Sequence, residues 1–123
     1  MSDLPEWCAR VVETQLAYNA ETWAALERHG VTQATPLSLD FFYNAPGQVE
    51  AHTLSRYLSE ATDYHVEAAA QAPDGGPAQW RVSGTTRPTA VSLDILNQWV
   101  VWMAVAGADH GGCQFDGWGA RVP

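Results

Sequence analysis

Lysine is absent from this sequence, and all six basic residues are arginine. Against them stand 14 acidic residues, for a formal net charge of −8. A chain this acidic repels phosphate backbones, so direct nucleic-acid binding through a broad basic face is not expected. A basic protein surface suits it better. Cysteine is scarce: Cys8 and Cys113 lie at opposite ends, with neither a zinc spacing nor a disulfide framework. The longest apolar run, Trp99 to Ala108, is too short to cross a bilayer. Met1 to Glu6 lack the basic and apolar segments of a signal peptide. A Gly-rich phosphate loop opening a helix, a serine-nucleophile motif and a basic aromatic stripe are missing as well. The expectation is a cytoplasmic protein with free thiols, without membrane or nucleic-acid contact and without a cofactor.

Chemistry-bearing residues are present but dispersed. His29, His52, His65 and His110 include no i,i+4 pair, so no metal site is expected. Cys113 follows His110 closely, yet a cysteine between a helix end and a strand reads as a small buried hydrophobe. Glu60, Asp63 and Glu67 flank a turn and read as a solvated face. The chain is therefore expected not to be an enzyme.

Hydrophobic residues at 46% and charged residues at 16% describe a globular chain, read as one domain over residues 1–123. An N-terminal helix is expected from about Pro5 to Arg28, capped by Asp3 and stopped at Gly30, with Cys8, Val12, Leu16, Trp23 and Leu26 as its apolar stripe and Leu4, Trp7, Val11 and Tyr18 widening it. Pro36 to Ala45 switches to period two: Leu37, Leu39, Phe41 and Tyr43 share one face, and Phe42 breaks the polarity of the other. A second helix runs to about Ala61, with Val49, Leu54, Tyr57, Leu58 and Ala61 inward. Strands at Tyr64–Ala72 and Gln79–Arg87 follow, joined by the turn residues Pro73 to Pro77. A third helix begins near Thr89 or Ser92 and ends at Ala108, with Leu96, Trp99, Val100, Met103 and Ala104 as its core stripe. The last strand is Cys113 to Val122.

Helix, strand, helix, strand, strand, helix, strand is an α+β order: a split βαβ, ferredoxin-like core over residues 36–122 preceded by an extra helix over 1–30. Right-handed crossovers put both internal helices on one face of an antiparallel sheet of order 4-1-3-2. Phe42, Arg81, Ser83, Asp116 and Trp118 are then expected on the open face, with the N-terminal helix as its cover.

The most informative stretch closes the chain. Asp116-Gly117-Trp118-Gly119 sets a tryptophan between two glycines on a strand, which asks for a bulge or a close approach. With the preceding Gly111-Gly112-Cys113-Gln114-Phe115, it resembles the ending of the ribonuclease E inhibitor RraB family, typically Tyr or Phe followed by Asp-Gly-Trp-Gly. Leu39-Asp40-Phe41-Phe42-Tyr43 and Leu96-Asn97-Gln98-Trp99 fit the same family, and the resemblance covers roughly Leu37 to Val122. It implies a ferredoxin-like sandwich and, as in its best-known members, a non-catalytic protein that binds ribonuclease E and restrains RNA cleavage. Those members resemble acidic proteins with an Asp/Glu-rich tail, whereas this sequence stops at Pro123.

The candidate interaction residues are Asp116, Gly117, Trp118, Gly119, Phe42 and Arg81, with Trp7, at the edge of the first helix, and Trp102, off the inner stripe of its helix, as interface anchors. For Trp118 the competing reading is structural: packing beneath the N-terminal helix over a glycine bulge. Two other functions stay open, a small-molecule or enzymatic site around Asp40, Arg81 and Asp116, and a homo-oligomer joined through its open faces.

Overall fold

A computed structural model of the chain describes residues 4–71 and 79–121. Helix α1 spans Glu6–Arg28, strand β1 Pro36–Ala45 and helix α2 Gln48–Ala61. Strands β2 (His65–Gln71) and β3 (Gln79–Thr85) come next, then a two-residue strand β4 (Thr89–Ala90), helix α3 (Leu93–Asp109) and strand β5 (Gln114–Arg121). The Asp3 cap and the Pro73–Pro77 turn lie outside the described residues. No described helix is long and apolar enough to cross a membrane.

Every ladder is antiparallel. β3 pairs β2 on one side and β1 on the other, and β5 also pairs β1. Across the sheet the order is β2-β3-β1-β5, which is the expected 4-1-3-2 with the final strand counted fourth. The fold is the α+β, ferredoxin-like arrangement with an extra N-terminal helix. Only β4 escaped the sequence reading; it pairs Pro36 and Leu37 just before Ser92 caps α3. The cap is made by Ser92 Oγ, which accepts from the Ile95 amide at 3.2 Å.

The core lies between the sheet and the helices. Leu37, Leu39, Phe41 and Tyr43 of β1, Val82 of β3, Leu54 and Leu58 of α2, and Leu96, Val100 and Met103 of α3 are all buried. Gly84 shows how tight this contact is. A Cβ there would fall 2.5 Å from Cζ of Phe41 and collide with the carbonyl of His65, so the missing side chain admits the ring.

Two inward stripes differ from expectation. On α2 the buried residues are Ala51, Leu54 and Leu58, while Val49 is 75% exposed, because two helical positions before Ala51 is nearly the opposite side. On α1 the buried seam is Cys8, Val11, Gln15, Asn19 and Trp23. The expected Val12, Leu16 and Leu26 flank it, half-buried. The seam is rotated because two of its five members are amides, which hydrophobic periodicity passes over.

The expected cover of the open sheet face is not found. α1 packs instead on α3 and along β5, and borders the rim of the open face through Thr14, Gln15 and Tyr18 beside Phe42 and through Trp7 and Arg10 beside Asp116. The cause lies in β5.

Candidate functional site

The Asp-Gly-Trp-Gly stretch is a β-bulge. Phe42 pairs with Gly117, but the next residue of β1, Tyr43, pairs with Phe115, so Asp116 has no partner across the ladder. Gly117 takes φ +120°, a left-handed conformation that only glycine adopts at no cost. The inserted residue shifts the alternation by one. Phe115 and Trp118, three apart, therefore both point into the core, at 2% and 4% exposure. This corrects the expected position of Trp118 on the open face, and it satisfies the structural reading of the motif.

Trp118 is held on several sides. Its indole N–H donates to Asn19 Oδ1 at 2.7 Å, and the amide nitrogen of Asn19 donates to Asn97 Oδ1 of α3 at 3.1 Å. The Tyr18 hydroxyl donates to the Trp118 carbonyl at 2.9 Å, and its ring meets the indole edge-on. Trp99 of α3 packs edge-on against the indole too, ring centres 6.3 Å apart. Asn19 is wholly buried, so its amide depends on these two bonds. The relay ties α1, α3 and β5 together and fixes α1 at the β5 edge. The sequence reading missed Asn19, Gln15 and Asn97. The signal was present in the spacing of four that carries Val11 through Gln15 and Asn19 to Trp23.

The bulge also shapes the opposite face. Asp116 emerges there and accepts from Arg81 at 3.1 Å, while the Arg81 guanidinium sits 4.8 Å from the centre of the Phe42 ring. Arg121 donates to Asp40 at 2.8 Å, and the Thr85 hydroxyl donates to the other Asp40 oxygen at 2.7 Å. Partial burial pushes the Asp40 carboxyl up; the hydrogen bonds from Arg121 and Thr85 and the charge of Arg121 outweigh it, leaving the group below its usual range. His65 and Glu67 make a third contact at 3.2 Å. Between these groups lies a shallow hollow of about 230 Å³ lined by Asp40, Phe42, His65, Glu67, Ser83 and Arg121. A second hollow of about 310 Å³ separates Phe42 and Asp116 from Thr14, Gln15 and Tyr18.

Of the candidate residues, Phe42, Arg81, Asp116, Gly117 and Gly119 come together on this face, with Trp118 directly behind them. Trp7 does not join them. It is half-buried near the start of α1, where it lines one hollow with Gln114 and Asp116 and another with Asn44 and Gln114, away from Phe42 and Arg81. Trp102 lies on α3, 39% exposed, away from the sheet. Cys113 is buried, and burial, with the Glu50 charge as a smaller cause, pushes its thiol up to about 11, the opposite of what a nucleophile needs.

The bulge, the tryptophan behind it and the helix that precedes β5 are the features on which the family resemblance rested. The RraB family, described as regulator of ribonuclease activity B, matches residues 16–120. The chain belongs to the RraB family. The match begins inside α1, so it takes in Asn19 and Tyr18 as well as the strand they hold. No curated protein matches the chain. Membership supports a regulatory role toward a ribonuclease.

Proposed function

We propose that this RraB-family chain is a non-catalytic regulatory protein-binding domain that modulates RNA processing or decay by contact with a ribonuclease. Family membership over residues 16–120 carries the reading. The state of the open sheet face supports it. The charged groups put forward there for chemistry, Asp40, Arg81 and Asp116, are each engaged in an ion pair. Paired charges around a half-buried phenylalanine suit recognition of a protein surface better than proton transfer. The net charge of −8 favours a basic partner, ribonuclease E or another, and disfavours RNA itself. On this reading the protein works in the cytoplasm, where RNA is processed.

The test is direct. Ribonuclease E purified from the same cells is titrated with the chain while cleavage of a fluorogenic RNA oligonucleotide is followed. Cleavage is expected to fall and level off at a fixed stoichiometry, and binding is expected to weaken as salt screens the charges. Unchanged cleavage together with no binding at low salt would overturn the proposal.

A further inference from the structure

A groove runs between α1 and β5. Its middle is a hollow of about 320 Å³ whose lining includes Trp7, Arg10, Thr14, Gln15, Gln114 and Asp116. Thr14, Gln15 and Asp116 also line the hollow beside Phe42, and Trp7 and Gln114 line a third, of about 380 Å³, beside Asn44. The three join end to end. Trp7, Arg10, Thr14 and Tyr18 are spaced by three, four and four, so a single stripe of α1 makes one wall. Gln114 and Asp116 of β5 make the other. From Trp7 to Tyr18 the helix rises roughly 16 Å, the length of about five residues of extended chain.

Most polar groups of this groove have no partner. On the open sheet face the charged side chains are paired; here Arg10, Thr14 and Gln114 make no side-chain hydrogen bond or ion pair among the described residues. Asp116 is the exception, held by Arg81. Gln15 is the decisive residue. It is 8% exposed, and its Oε1 is buried without a hydrogen-bond partner among the described residues. Asn19, four positions on in the same seam, meets both its partners inside the fold. A buried acceptor left unpaired destabilises a fold, and an apolar side chain of the same shape avoids the loss. An amide kept there, in the wall of a groove, points to a partner brought from outside.

The chemistry of the groove suits a peptide backbone. A side-chain amide presents a donor and an acceptor together, the complement of a peptide unit, which serves it in either orientation. Gln15, Gln114 and Asn44 spread such amides along the groove, and Trp7 offers an apolar wall for a side chain. Arg10 and Asp116 set opposite charges in one hollow, which matches a neutral, dipolar occupant. Phosphate-bearing ligands are disfavoured by Asp116 and by the net charge of −8. An open groove holds an extended chain better than a small molecule, which needs enclosure.

We propose that the groove between α1 and β5 binds an extended segment of the protein partner, its peptide units paired with the side-chain amides of Gln15 and Gln114 and one of its side chains set against Trp7. The proposal rests on the reading that this chain acts by protein contact, and it names the form in which the partner is held.

Overlapping peptides of about ten residues that tile ribonuclease E from the same cells are titrated into the full chain by calorimetry. At least one is expected to bind. N-methylation of a single backbone amide in that peptide is expected to weaken it about tenfold, because it removes a backbone donor and leaves every side chain in place. Thr14→Arg, which fills the groove from an exposed position, and Trp7→Ala are each expected to weaken the same peptide about tenfold. Val49→Ala, on the exposed side of α2, is expected to change nothing. Gln15→Met removes the unpaired oxygen and is expected to keep or raise the melting temperature while weakening the peptide about tenfold. A lower melting temperature with full peptide binding would make Gln15 a structural residue and overturn the proposal. So would N-methylation without effect at every position, or peptide binding undiminished by Thr14→Arg. Self-association of the chain that Trp7→Ala abolishes would identify a second copy as the occupant and overturn it too. Intact ribonuclease E that binds the chain while no peptide does overturns the proposal and leaves the regulatory reading standing. Failure of intact ribonuclease E to bind the unaltered chain is a failure of the regulatory reading, and the proposal falls with it.

Discussion

The two faces of the sheet are made from the same strands yet held together by different physics. On the inner face, at Trp118, the contacts are aromatic edges and buried amide bonds, closed to water and dependent on one another. On the outer face, at Phe42, they are ion pairs between half-exposed groups, with one guanidinium over one ring. Buried polar bonds are costly to break because the partner left behind has no water to turn to. Exposed ion pairs contribute little, since water and salt replace them. One bulge of β5 feeds both faces, sending Trp118 inward and Asp116 outward. The same motif is thus a strong structural element on one side and a weakly constrained surface on the other, free to serve recognition.

The sharpest way to break that contrast is at the indole. Trp118→Ala is expected to lose about 3–5 kcal/mol of stability in urea denaturation, from lost burial and a stranded Asn19. Trp118→Phe keeps most of the ring and removes the N–H, and about 1–3 kcal/mol of loss would measure the relay alone. Stability unchanged in both would mean that the inner face does not depend on the motif. Gly117→Ala comes next. A Cβ there meets nothing closer than the Gln15 amide nitrogen at 3.6 Å, so the cost is purely that of the positive φ, about 1–3 kcal/mol. On the outer face Phe42→Ala is expected to cost about 1 kcal/mol, the ring having one cation above it and open surface beside it. A loss as large as that of Trp118→Ala would show that the outer face is a second core.

The smallest effect concerns acid. Asp40 is depressed in the folded state, so the stability its carboxylate contributes is fully present above the ordinary carboxylate range, about pH 4, and is lost as pH falls through the lowered folded value. Asp40→Asn is expected to lower the neutral-pH melting temperature slightly and to flatten that part of the acid limb, so that the two proteins converge as the pH falls. An identical acid limb in both proteins would show that the Arg121 and Thr85 bonds do not hold in solution.

Much of the fold was legible because the signals are local. The alternation of Leu37 to Tyr43, the Ser92 cap and the strand boundaries at Pro36 and Ala45 follow from neighbouring residues alone. So does the outward position of Trp102, which spacing on its helix placed off the core stripe. The candidate site was legible in part: Phe42, Arg81 and Asp116 meet as the alternation required. Asn19 was not legible by hydrophobicity, because an amide enters a core only when particular partners wait for it. Here those partners come from residues 78 and 99 positions away in the chain.

The sequence by itself determined the elements, their order, the sheet they build and the family they belong to, since propensity, periodicity and turn chemistry act over a few residues. Only the tertiary structure decided which way the tryptophan of Asp-Gly-Trp-Gly points and where the first helix rests. A bulge belongs to a pair of strands rather than to one of them, and its shift of register is set where Phe42 meets Gly117 and Tyr43 meets Phe115. Once that step turned the indole inward, Asn19 had a partner, α1 had a place beside α3, and the outer face was left open.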